Sequence, residues 1–201
     1  MSRVSRLVAN QHRSTIKELA ARLLRERGIR GVSVADLMAA AGLTHGGFYG
    51  HFQSKDALVA EACAVACEGA VQRWRQRVAA SPDSEAGRAA LMEPYLSDEA
   101  RRSPGASCPI AALAADVARE PPEAPVRAAY VAGLEALLEI LAEVQSQAAP
   151  EAGRSQALAD FATMAGALML ARATAGHGIS DELLAAARER LLSNPDRRMA
   201  G

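Results

Sequence analysis

Apolar residues recur with a helical period through most of the chain. Ile16, Leu19, Ala20, Leu23 and Leu24 stand at i, i+3, i+4, i+7 and i+8, the spacing that lines one face of an amphipathic helix. They predict a helix over 14–27, which Gly28 to Gly31 stop. Ser33, with Asp36 three residues on, is a capping-box-like start for a short second helix whose Val34, Leu37, Met38 and Ala41 face inward. Gly42 turns the chain into a third helix from Thr44. Ser54 caps a long helix reaching about Ala80, with Leu58, Ala62, Val65 and Ala66 inward, and Ser81-Pro82-Asp83-Ser84 closes it. Further helices are predicted near 84–96, 109–119, 123–148, 153–175 and 180–192. Their breaks are Ser97 to Cys108, Glu120 to Pro122, Ala149 to Gly153 and Gly176 to Ile179. No stretch alternates with period two and there is no internal repeat, so the fold class is all-α.

The third helix is the unusual one. It carries Gly46, Gly47 and Gly50, each costing roughly 1 kcal/mol relative to alanine in a helix, so something other than propensity must require them. At about 100° per residue Phe48 and Phe52 share one side and the three glycines cluster roughly opposite. Thr44 and His51 border the glycine face on one edge, His45 and Tyr49 on the other. A bare face edged by hydrogen-bonding side chains suits a helix pressed into a DNA major groove, which is about 12 Å wide. The alternative is a glycine-rich loop holding two buried aromatic rings.

Three helices with the second and third joined at a glycine form a DNA-binding tri-helical unit. Over residues 10 to 60 this chain resembles the tetracycline-repressor (TetR) family of bacterial transcription regulators. The resemblance rests on Gly-Leu-Thr-x-Gly-x-Phe-Tyr-x-His-Phe-x-Ser-Lys-x-x-Leu from Gly42 to Leu58. It implies groove-facing positions at Thr44, His45, Gly46 and Gly47 and phosphate-contacting positions at Ser33, Tyr49, His51 and Lys55. It also implies a helix-turn-helix domain over 1–53 and a helical ligand-binding and dimerisation domain over 54–201, with 54–80 as connecting helix. A long helix shared by both is a lever, since tilting it changes the separation of two recognition helices in a dimer, and that separation must match the DNA repeat. Leu158, Phe161, Ala162, Ala165, Leu168 and Met169, then Ile179, Leu183, Leu184, Ala187 and Leu191, form two apolar stripes. They read as ordinary core or, as the resemblance implies, as a four-helix interface with a symmetry mate.

Charge adds to this picture. The chain has 23 Lys and Arg against 23 Asp and Glu, yet residues 1–30 hold eight basic side chains (Arg3, Arg6, Arg13, Lys17, Arg22, Arg25, Arg27, Arg30) against Glu18 and Glu26. Such a cluster beside a helix-turn-helix is an electrostatic footprint for phosphate. No apolar run approaches the roughly 18 residues needed to span a bilayer, the arginines near the start do not suit a signal peptide, and three cysteines, an odd number, suggest a reducing compartment. The expected location is the cytoplasm, at the nucleoid when DNA is bound.

The inducer site is less legible. Beyond the helix-turn-helix the aromatics are Trp74, Tyr95, Tyr130 and Phe161, too few for an aromatic cage around a bulky cation. Met92, Leu96, Leu113, Leu134, Leu137 and Met164 suggest a small aliphatic cavity, or simply core. Trp74, Met92, Tyr95, Tyr130, Met164 and Cys108 are the candidate ligand or sensor residues. Cys108 follows a stretch, Arg101 to Ser107, that reads as flexible, and precedes Pro109, a first-turn residue. A helix start near cations favours the reactive thiolate, and Cys-Pro-Ile-Ala-Ala-Leu-Ala-Ala-Asp is similar to a segment in a subset of TetR-type regulators, some of which sense electrophiles through a cysteine. A buried apolar thiol is the other reading. Cys63 and Cys67, four apart, lack further ligands nearby and read as packing rather than metal. No metal, cofactor or enzymatic motif is expected. The sequence thus points to a dimeric regulator, most simply a repressor, that binds a palindromic operator in double-stranded DNA and is released by a small molecule or electrophile. The alternative is a helical small-molecule or redox-responsive binding protein with a vestigial helix-turn-helix.

Overall fold

The computed structural model describes residues 3–148 and 153–192. Its helices are α1 (Arg3–Arg27), α2 (Val34–Ala40), a 3-10 segment (His45–Gly50), α3 (Lys55–Ala79), α4 (Ser84–Tyr95), α5 (Asp98–Arg102), α6 (Pro109–Arg119), α7 (Pro125–Ala148), α8 (Gly153–Ala173) and α9 (Gly178–Leu192). No strand occurs among the described residues. The expected break at Ala149 to Gly153 falls mostly on residues 149–152, outside those described.

Three expectations need correcting. First, α1 begins well before Ser14, at Arg3. Second, the third helix is a 3-10 segment rather than an α-helix. Three glycines in six residues and an N-cap, Thr44, that makes no side-chain bond leave little to hold a wider turn, and the tighter i→i+3 geometry is the usual form of such short pieces. Third, Ser97 to Cys108 is neither a plain break nor a loose loop. Ser97 caps α5 by accepting from the Ala100 N–H, Asp98 and Glu99 occupy its first turn, and Arg101 and Arg102 its last. Arg101 then reaches Ser180 Oγ and Asp181 Oδ1, each at 2.6 Å, and so fixes α5 to α9.

Helix α3, about 37 Å long at 1.5 Å per residue, is the axis of the molecule. It packs along α7 and also touches α1, α4 and α6, while α8 packs on α7 and α9. Small residues permit the closest of these approaches. A Cβ on Gly133 of α7 would lie 2.3 Å from the Cys67 sulfur, so only glycine fits there. The core runs without interruption from Ile16, Leu24 and Leu37 through Phe48 and Leu58 to Leu91, Met92, Leu137 and Leu168. Buried Asp160 of α8 accepts from Gln145 of α7 at 2.7 Å and from Gln156 at 2.6 Å, with Arg88 of α4 3.8 Å away. One carboxylate thereby ties three helices together.

Candidate nucleic-acid interface and inner pocket

The segment from α2 to α3 is built by caps. Ser33 and Asp36 form a reciprocal capping box, Asp36 N donating to Ser33 Oγ at 3.1 Å and Ser33 N to Asp36 Oδ2 at 2.8 Å. The Ser33 hydroxyl, donating to Asp36 Oδ2 at 2.6 Å, and then the Ser33 N–H hold the Asp36 carboxyl below its usual range. At the other end of α2, Gly42 takes φ +69°, a left-handed conformation open to glycine. Leu43 N donates to Met38 O at 2.9 Å and Gly42 N to Ala39 O at 3.0 Å, the double bond of a Schellman stop. The chain therefore leaves α2 in a fixed direction and enters the 3-10 segment at Thr44.

Two aromatic anchors hold that segment down. Phe48 is fully buried and Phe52 nearly so, their ring centroids 5.7 Å apart. The opposite side faces outward: Thr44, His45, Gly46 and Gly50 are exposed and Gly47 is half-buried. Tyr49 is 71% exposed, although its ring stands edge-on to that of Phe48 with centroids 5.2 Å apart. Gly46, Gly47 and Gly50 have no positive φ. A Cβ at Gly46 or Gly50 would meet nothing within 4 Å, and one at Gly47 would make only ordinary contacts at 3.7 Å with Met38 and Thr44. Nothing inside the molecule requires glycine at these three positions.

The flanking candidates are placed as follows. His51 is half-buried, its ring edge-on to His12, and its carbonyl oxygen accepts from Arg13. Lys55, in the first turn of α3, donates Nζ to Ile29 O at 3.0 Å, so two of its three donors remain available. Ser33 is exposed, but its hydroxyl is engaged in the cap. The basic cluster of residues 1–30 is less free than its charge count suggests. Arg13 and Lys17 share Glu61, Arg22 lies 4.0 Å from Glu26, Arg30 lies 3.9 Å from Glu120, and Arg25 Nε donates to Gly105 O at 2.9 Å. The side chains of Arg3 and Arg6 lie outside those described.

A cavity of about 230 Å³ opens between α3, α4 and the α5–α6 connection. Of the candidate ligand residues it gathers Trp74, Tyr95 and Cys108, and it excludes Met92, Tyr130 and Met164. Met92 and Met164 are fully buried core, and Tyr130 spends its hydroxyl on Ile110 O at 2.9 Å. Of the residues expected to line an aliphatic cavity, Leu96, Leu113 and Leu137 are buried in the core and do not line this one. The actual lining adds Arg73, Arg77, Ser97, Glu99, Ser103 and Ser107. The signal for two of these was present in the sequence, with arginines four apart on either side of the single tryptophan. Burial pushes the Cys108 thiol above its ordinary value, outweighing the Tyr95 hydroxyl, the α6 backbone and Arg172, which all favour the thiolate. The thiolate-prone site expected from a helix start near cations is therefore not what the fold provides. Cys63 and Cys67 are buried and hydrogen-bonded to each other on α3, the Cys67 thiol donating and so lowering the pKa of Cys63.

The comparisons with known proteins agree with this architecture. Residues 16–62 match the model of the bacterial regulatory proteins of the tetR family. The HTH-type transcriptional repressor KstR2 of Rhodococcus jostii is 36% identical over 80 residues, which make up 40% of this chain and 39% of that relative's own length. A TetR transcriptional regulator from Chloroflexus aurantiacus, 26% identical, superposes with a TM-score of 0.76 over 92% of this chain and 93% of its own. The reduced form of Escherichia coli NemR, 18% identical, superposes at 0.75 over 92% and 98% and so shares the fold. Residues 16–62 thus carry the family signature of the tetR bacterial regulatory proteins, and the chain as a whole shares the fold of the TetR transcriptional regulator from Chloroflexus aurantiacus.

Proposed function

We propose that the chain is a dimeric, ligand-responsive transcriptional repressor that binds a palindromic operator. The observation that carries this reading is the outward face of the 3-10 segment, where glycines stand without any conformational or packing reason inside the molecule. Close approach to an external surface supplies the reason, and a major groove admits one helix. In this reading Thr44 and His45 reach base edges, Gly46 and Gly47 let the backbone approach, and Tyr49, His51 and Lys55 hold phosphates. Ser33 contributes by fixing the start of α2. Residues 1–53 are the DNA-binding domain and 54–201 the sensing and dimerising one, with α3 as the lever between them. The protein works in the cytoplasm, at the nucleoid when bound, and no catalysis is part of this role.

Selection of duplexes from a random pool, followed by titration across salt, tests the reading. We expect a two-fold symmetric site and an affinity that falls steeply with salt as counterions are released. Lys55→Ala should weaken all sequences alike and make the salt slope shallower by about one unit, whereas His45→Ala should relax preference at a few positions of each half-site. Recovery of no enriched duplex would overturn the proposal. Identical effects of the two substitutions would overturn the division of labour between them.

A further inference from the structure

We propose that the cavity between α3, α4 and the α5–α6 connection binds a small organic carboxylate, its charge held by Arg73 and Arg77 and its apolar part laid against Trp74. The proposal deepens the sensor role suggested above by naming the chemistry of the ligand.

Arg73 and Arg77 stand one turn apart on α3 and both line the cavity. Like charges at this spacing repel. Burial and then the charge of Arg77 both lower the pKa of Arg73. Among the described residues, neither guanidinium has a carboxylate within ion-pair distance. The single carboxylate in the lining, Glu99, already accepts from Ser103 Oγ at 2.6 Å. The charge of Arg73 reaches across to α1, where, after burial, it lowers the pKa of Arg25. An anion in the cavity relieves this repulsion, a cation increases it, and a neutral ligand leaves both guanidinium groups unpaired. Planar guanidinium forks are also the side chains best matched to a carboxylate.

A second, independent feature points into the same space. Tyr95, only 5% exposed, also lines the cavity. Its hydroxyl is buried beside the Cys108 thiol, a weak partner, and has no other hydrogen-bond partner among the described residues. A buried hydroxyl left with only a thiol is poorly satisfied, and a ligand oxygen reaching that end of the cavity would offer it a better partner. Trp74 and Leu168 provide the apolar wall. The volume, about 230 Å³, lies below the roughly 300–1,000 Å³ of sites for drug-sized molecules, so the ligand is small.

Trp74 is the only tryptophan, so intrinsic fluorescence reports on this cavity directly. Acetate, butyrate, hexanoate, benzoate and phenylacetate are each titrated into the full-length protein without DNA, beside their primary amides. We expect at least one carboxylate to change the emission saturably and to bind about tenfold or more tightly than its amide, as charge-assisted bonds predict. Replacing both arginines, R73Q with R77Q, should abolish that preference while circular dichroism shows the helices intact. Failure of every carboxylate to surpass its amide overturns the proposal on the parent protein alone, whatever the variant does. A preference that survives the double replacement overturns the assignment to these arginines. Operator affinity measured in the same buffers keeps the two readings separate: specific DNA binding without carboxylate preference sinks the anion site only, and loss of DNA binding leaves the fluorescence titration readable.

Discussion

Cys108 shows how a residue legible in sequence acquires a different chemistry in the fold. Its position before Pro109 correctly marks the start of α6, and Arg172 does stand near enough to favour the thiolate. What the sequence does not show is that α4 and α8 close over it and bring the Tyr95 ring against it, so burial decides the balance. The consequence can be measured. With its folded pKa raised above the ordinary 9.0, Cys108 keeps its proton in the native state while the unfolded chain loses it. The contribution of the neutral thiol is therefore complete below pH 9 and is lost as the pH rises from there through the folded value. Buried Tyr95, also raised, acts in the same sense above 10. We expect the melting temperature to fall as pH is taken above 9, and to fall less steeply in Cys108→Ala. Parallel pH profiles for parent and variant would contradict this. Phe48 and Phe52, by contrast, were fully legible, because two large rings four apart in a glycine-rich stretch leave only one apolar side.

At the level of elements, long periodic helices were readable and short ones were not. The predicted α6 matches the observed bounds, and α3, α4, α7, α8 and α9 lie within a few residues of theirs, since each repeats its apolar stripe over several turns. The five residues of α5 make little more than one turn, too short for any period, although the Ser97 cap with two acids after it was there to be read. The 3-10 segment follows the same logic, as its pattern fits either helix type and the glycines tip it to the tighter one. Helix contacts are a further matter, because a single sequence does not say which faces meet. Gly133 is the clearest case: it reads as a weak point in α7 and is instead where α7 closes on Cys67. Gly133→Ala gains helix propensity yet must push the two helices apart, and we expect a net loss of about 1–3 kcal/mol, the usual range for overpacking. Urea unfolding checks it, and a variant as stable as the parent would mean that the two helices separate freely.

Across the whole molecule, the two apolar stripes of α8 and α9 turn out to be divided between inside and outside. Phe161, Leu168, Leu184, Ala187 and Leu191 are buried in the chain's own core. Leu158, Leu170 and Ile179 are each about half exposed, Ala162 is exposed, and a Cβ at Gly166 would meet nothing within 4 Å. Residues 158, 162, 166 and 170 recur every four positions on one face of α8, and an exposed apolar strip of this kind is what a two-fold dimer would bury. Leu170→Arg should then leave helical content unchanged and convert the dimer to monomer in sedimentation velocity. A variant of unchanged mass would place the dimer interface elsewhere. A dimer matters because paired recognition elements must sit roughly 34–36 Å apart to read two half-sites, and α3 connects each of them to the pocket. The claim on which the whole account depends is narrower, that the bare glycine face is where DNA enters. The measurement that meets it most directly is operator affinity, by fluorescence anisotropy, of Gly46→Leu beside the parent, with circular dichroism and sedimentation run on the same samples. Since Gly46 has open space around its Cβ position and no positive φ, the account predicts an intact, dimeric protein that no longer binds the operator. A Gly46→Leu protein that binds the operator as tightly as the parent would contradict it.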